Sequence, residues 1–181
     1  MSVGLSWPTR RLKGVPRLCL PAVLSLGLAH AAPLQDESQL KAAFIYRFAQ
    51  FTQWPPPPLK EFNYCIAGNA ELQESLRAIA RKPHDGIGAR LQVLTAPPAP
   101  GQCQLLVMAL SDRNELQRWQ AALGDEPVLV VGDTPEAFRA GASIALVLEP
   151  NGLSFRINYT EAKRRGLVLS SQVLKLAREV R

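Results

Sequence analysis

The sequence predicts an α/β fold: a single domain with a mostly parallel sheet, helices on both faces and a C-terminal antiparallel hairpin strand. Three observations carry this. Short apolar runs alternate with stretches whose apolar residues recur at helical spacing, the pattern of strand–helix–strand units. The run Gln104–Leu110 is apolar almost throughout, as a strand covered on both faces must be. Near the end of the chain Asn151-Gly152 separates two strand-like runs, a strong hairpin signal that adds an antiparallel pair.

The first 31 residues read as a segment outside that fold. Arg10, Arg11, Lys13 and Arg17 form a basic stretch, Leu18–Leu28 is an apolar run, and Ala29-His30-Ala31 is a small-x-small cleavage site, together the plan of a signal peptide. A membrane anchor is the alternative, but a span needs about 20 apolar residues and this run is much shorter. The expectation is export with cleavage near Ala31, leaving residues 32–181 as the domain. Four of the 21 basic residues leave with the leader, so 17 face 15 acidic ones, a net charge of +2. The basic balance therefore gives no support for nucleic-acid binding, and the one basic run, Lys163-Arg164-Arg165, reads as a solvated helix face. Cleavage also removes Cys19 and leaves Cys65 and Cys103, which in an oxidising compartment are most simply a disulfide, with two inert buried thiols as the alternative.

Within the domain, Leu40–Trp54 reads as the first helix, its stripe Leu40, Phe44, Phe48 and Phe51 set against Lys41, Arg47 and Gln50, and four prolines at 55–58 forbid continuation. The stripe is either core or a docking face. Phe62–Ala67 is a strand, Asn69 caps a helix carrying Leu72, Leu76 and Ile79, and Lys82–Gly86 is a turn. Arg90–Thr95 and Gln104–Leu110 are the next strands, with a proline-rich loop between them. Asp112 and Glu115 form a capping box for a helix with Leu116, Trp119 and Leu123, closed by Gly124. Pro127–Val131 is a fourth strand, and Thr134-Pro135-Glu136 opens a short helix ended by Gly141. The hairpin strands are Ser143–Leu148 and Leu153–Asn158, the second alternating Leu153, Phe155 and Ile157 with Ser154, Arg156 and Asn158. Two helices flank Gly166, the last capped by Ser170 or Ser171 and turning Val173, Leu174 and Ala177 inward.

Residues suited to catalysis are few. His84 is the only histidine after the leader, which argues against a histidine-rich metal site, and His84-Asp85 reads as part of a turn rather than a catalytic pair. No serine sits in a G-x-S-x-G elbow, and Gly86-Ile87-Gly88 precedes a strand where a phosphate loop must follow one. The remaining candidates are the strand ends Gly68-Asn69, Ser111-Asp112-Arg113 and Gly132-Asp133-Thr134, where open α/β sheets bind small ligands. Each can equally be a helix cap. No cofactor is expected.

The segments Leu40–Phe48 with Phe51-Thr52-Gln53-Trp54-Pro55, then Pro127–Asp133, then Phe155–Asn158 running to Gly166-Leu167 and Leu169–Ala177, resemble the YfiR family of periplasmic proteins over about residues 35–178. The resemblance implies a regulator rather than an enzyme: a repressor that binds the periplasmic sensor domain of an inner-membrane diguanylate cyclase and lowers cyclic di-GMP, biofilm formation and exopolysaccharide output. A sensor kinase is an alternative partner, an outer-membrane lipoprotein can sequester the repressor, and a homodimer is also open. Cys65 and Cys103 match a family disulfide linked to redox control, while the chain lacks the second, C-terminal cysteine pair of the best-known member. The polar side of the last hairpin strand and the helix after it, Ser154, Arg156, Asn158, Glu161 and Arg164, is the expected partner surface, on the ground that an edge strand leaves backbone groups unpaired. A merely solvated face is the alternative there. A small-ligand binding module using the strand-end crevice and a hydrolase are the competing functions.

Overall fold

The computed structural model describes Met1, Gly4 and residues 34–181, so the expected leader otherwise lies outside the described residues. No helix among the described residues is long and apolar enough to cross a membrane. In chain order the elements are α1 (Leu34–Gln50), β1 (Thr52–Gln53), β2 (Phe62–Ala67), α2 (Ala70–Ile79), β3 (Ala89–Val93), β4 (Leu105–Met108), α3 (Arg113–Leu123) and β5 (Leu129–Gly132). They continue with α4 (Pro135–Arg139), β6 (Ile144–Glu149), β7 (Gly152–Ile157), α5 (Tyr159–Arg164), β8 (Val168–Leu169), α6 (Ser171–Leu176) and β9 (Glu179–Val180).

The main sheet has seven strands in the order β3-β2-β4-β5-β6-β7-β9. The first five of these are mutually parallel, β7 is antiparallel to β6, and β9 is parallel to β7. Winding runs outward from β2 to β3 and then returns past β2 to β4, so the topological switch lies between β2 and β4. β1 and β8 form a separate two-stranded antiparallel sheet, with Thr52 opposite Leu169. The expected α/β sheet with helices on both sides and a hairpin is therefore the architecture found.

Alternation along the strands sorts the core. Phe62, Tyr64, Ile66, Leu105, Val107, Leu129 and Val131 face one side, under α1, α2 and the segment from α5 to α6. Cys65, Ala67, Leu106, Met108 and Val130 face the other, under Leu116, Trp119 and Leu123 of α3 and Ala137 of α4. Cys65 and Cys103 belong to this second layer, both buried, and are joined in a disulfide with their Cα atoms 5.9 Å apart. Gly132 ends β5 against α4, and a side chain there would bring its Cβ within 2.8 Å of the Ala137 methyl.

Three expectations need correction. The first helix ends at Gln50, not at Trp54, because Thr52–Gln53 pairs with Val168–Leu169 and the Thr52 hydroxyl turns back to donate to the Phe48 carbonyl (2.7 Å). Its inward line is also rotated from the aromatic stripe: Ser38, Ala42, Ile45, Phe48 and Ala49 are buried, Phe44 and Phe51 are half-buried, and Leu40 is 42% exposed. Small alanines bring the helix close to its neighbours, and the aromatic rings fill the flank, Phe48 meeting Phe155 edge-on at 4.9 Å. Finally, β7 is not a free edge along its whole length. Ala177 leaves the helix with extended backbone, and the chain returns so that Glu179 and Val180 pair with Arg156 and Ile157. A two-residue strand is too short to show a period of two, which is why the sequence carries no sign of β8 or β9.

Candidate functional site

The polar residues expected to face a partner are largely engaged within the chain. Asn158 caps α5, its Oδ1 accepting from Glu161 N–H at 3.1 Å, and the Ser154 hydroxyl donates to the Val147 carbonyl at 3.3 Å. Arg156 lies 3.5 Å from Glu179 on β9. Arg164 pairs with Asp125 and with Glu161. Glu161 in turn accepts from Arg165, whose Nε lies 2.8 Å away. Arg156 and Arg164 keep about half of their side chains in solvent, whereas Asn158 and Glu161 mainly hold α5 in place.

Arg165 is the residue that the reading of a solvated basic run gets wrong. It is wholly buried, and its other nitrogens donate to the Glu126 carbonyl (3.2 Å) and to Gln120 Oε1 (3.1 Å). Burial pushes its guanidinium below the ordinary arginine range, with Glu161 opposing the shift. The planar fork thus ties α5 to the end of α3 and to the loop that follows it.

At the carboxyl ends of the parallel strands the capping roles are realised. Asn69 accepts from Leu72 N–H, Asp112 from Glu115 N–H and Thr134 from Ala137 N–H. Asn69 does this from the left-handed region, at φ 45°, while its amide donates to Asp133 Oδ2 at 2.9 Å. Asp133 Oδ1 lies 2.7 Å from Lys41 Nζ, and Lys41 also reaches Glu37 at 2.8 Å. Lys41 is 12% exposed and Asp133 5%, so the pair sits where this fold class takes ligands, and the occupant is the chain's own first helix. Burial favours the neutral amine, but hydrogen bonds and attraction from Asp133 and Glu37 outweigh it and raise the Lys41 pKa. Lys41, set off the aromatic stripe in the sequence, gave no sign of this role.

The opposite end of the sheet carries a cleft of about 530 Å3, walled by Thr52 and Gln53 of β1, Trp54, the four prolines 55–58, Leu59, His84, Asp85 and Ile87. His84 is buried, stacked at 3.9 Å on Phe62 and edge-on to Trp54 at 5.7 Å. Its turn is closed by mutual backbone hydrogen bonds between His84 and Ile87, and Asp85 takes a left-handed conformation at φ 46°. The turn reading of His84-Asp85 holds, with the histidine inside rather than at the surface. Among the described residues no three His, Cys, Asp or Glu side chains converge as a metal site requires.

A profile of the YfiR/HmsC-like family matches residues 38–178. The chain belongs to the YfiR/HmsC-like family. The match takes in both layers of the core, the disulfide, the Lys41–Asp133 pair and the proline cleft, and stops just before β9. Among solved structures, a conserved domain protein from Vibrio cholerae O1 biovar El Tor superposes with a TM-score of 0.57 at 15% identity. The ABC domain from Streptococcus pneumoniae in complex with L-Trp superposes with a TM-score of 0.54 at 10% identity. Each likeness covers 80% of this chain and 60% of the neighbour, so the family member spans about three fifths of each neighbour's length and shares its fold.

Proposed function

We propose that this family member is a periplasmic regulatory protein that represses an inner-membrane diguanylate cyclase by binding its periplasmic sensor domain, lowering cyclic di-GMP and biofilm formation. The carrying observation is the family match across nearly the whole described domain. The filled strand-end crevice is consistent with a protein that works through its surface, since a small-ligand module of this class would need the space that Lys41 occupies. Deleting the gene should raise cyclic di-GMP and surface attachment, and the exported protein should co-purify with a membrane protein bearing a cyclase output domain. Unchanged cyclic di-GMP in a strain that expresses such a cyclase would overturn this reading.

The half-exposed side of β7 and α5 is the proposed contact. Arg156→Glu should lower repression without unfolding the protein. If both folding and repression persist, the contact lies on another face.

A further inference from the structure

The cleft at the amino-terminal end of the sheet has no part in the roles above, yet it holds polar groups arranged for a ligand. Gln50 Nε2 lies 3.2 Å from His84 Nδ1, so the amide donates, Nδ1 accepts, and the ring proton resides on Nε2. That N–H belongs to a nearly fully buried ring lining the cleft, and Asp85 Oδ2 stands 3.8 Å from it, beyond hydrogen-bond distance. A donor and a carboxylate acceptor therefore stand side by side at one wall, Trp54 with the rings of Pro55 to Pro58 supplies an apolar wall, and Thr52 and Gln53 also line the cleft.

The pairing narrows the chemistry. An anion would meet the Asp85 carboxylate, and a cation would meet the His84 N–H. A neutral group with one acceptor and one donor on the same side satisfies both, and the N–H and C=O of a single residue in an extended strand point that way. The volume lies within the range of about 300–1,000 Å3 typical of ligand clefts.

We infer that this is a peptide-binding cleft that receives one apolar residue of an extended segment from a partner protein, its side chain against Trp54 and the prolines, its carbonyl accepting from His84 Nε2–H and its N–H donating to Asp85. The regulator reading supplies the partner that would carry the segment; binding of the peptide itself does not depend on it.

The test uses the mature disulfide-bonded protein, 15N-labelled, titrated with N-acetyl-Leu-Leu N-methylamide and with the depsipeptide analogue whose second leucine carries oxygen in place of N–H. Saturable shifts are expected at the His84 ring and the Trp54 indole, with the Trp119 indole on the other sheet face unmoved, and with a Kd in the range of roughly 1–10 mM for so small a probe. The depsipeptide, and Asp85→Asn with the peptide, should each bind about fivefold more weakly. Asn tolerates the left-handed backbone, so that variant keeps the turn. No saturable shift up to roughly 50 mM, or equal affinity for peptide, depsipeptide and Asp85→Asn, would falsify the assignment. Binding with these ratios in a protein whose deletion leaves cyclic di-GMP unchanged upholds the cleft and removes only the regulator reading.

Discussion

Lys41 and Asp133 form a largely desolvated ion pair, and such a pair is costly to break from one side. Removing the ammonium leaves a carboxylate at 5% exposure with Asn69 as its remaining donor. Lys41→Met should therefore lower stability by about 3 kcal/mol, read as a drop in the urea midpoint at unchanged slope. His84 gives a second prediction. Burial holds its pKa below the ordinary 6.5, with Asp85 opposing. The unfolded chain thus takes up a proton that the folded one refuses, so the contribution is full above about pH 6.5 and is lost as the pH falls below it. His84 is the only histidine in residues 32–181, so His84→Phe, which keeps a ring on Phe62, should flatten the fall in stability between about pH 7 and 5. An unaltered slope would place the acid sensitivity on carboxylates. At this scale the sequence exposed the caps, since Asn69, Asp112, Thr134 and Ser170 all stand one step before their helices and all cap. It concealed Lys41, Arg165 and Gln50, whose partners lie on elements far away along the chain and leave no local pattern.

Among the elements, continuous apolar runs made β2, β4 and β5 legible, because a strand buried on both faces carries its burial in composition alone. The rotation of α1 was not legible for the opposite reason. Its inward positions include Ser38, Ala42 and Ala49, and residues chosen for smallness look neutral in a pattern weighted by hydrophobic size. β9 was hidden by its length and lies beyond the family match, yet it carries weight in the structure. Arg178 N–H donates to the Phe155 carbonyl, Arg181 N–H to Ile157, and Tyr159 N–H to Arg181. Ending the chain at Ala177 should remove these bonds and the longer one from Thr160 N–H to Arg181, cost about 2 kcal/mol, and speed hydrogen exchange at Tyr159 and Thr160. It should also make the uncovered strand self-associate more readily, measurable by sedimentation. Unchanged exchange at both amides would mean that the pairing contributes nothing in solution.

For the molecule as a whole, the disulfide makes stability depend on where the chain folds. Cys65 lies in β2 and Cys103 just ahead of β4, neighbours in the sheet although 38 residues apart in sequence, and both are sealed beneath α3. Closing a loop of that length stabilises by about 4 kcal/mol in the chain-entropy model, against roughly 5–15 kcal/mol for a typical domain. Protein exported with its leader should therefore have a mass beginning near Ala32, yield no free thiol on unfolding without reductant, and melt about 10 °C above the Cys65→Ser/Cys103→Ser variant. Protein from residue 32 onward made in a reducing cytosol should melt with the variant and gain the difference on oxidation. Because the bridge is buried between strand and helix, reductant should reach it only as fast as that layer opens, so reduction should track global unfolding rather than thiol concentration. A retained leader on exported protein would remove the export step. Equal melting of the bridged and serine forms would leave the bond in place and deny it a part in holding the fold.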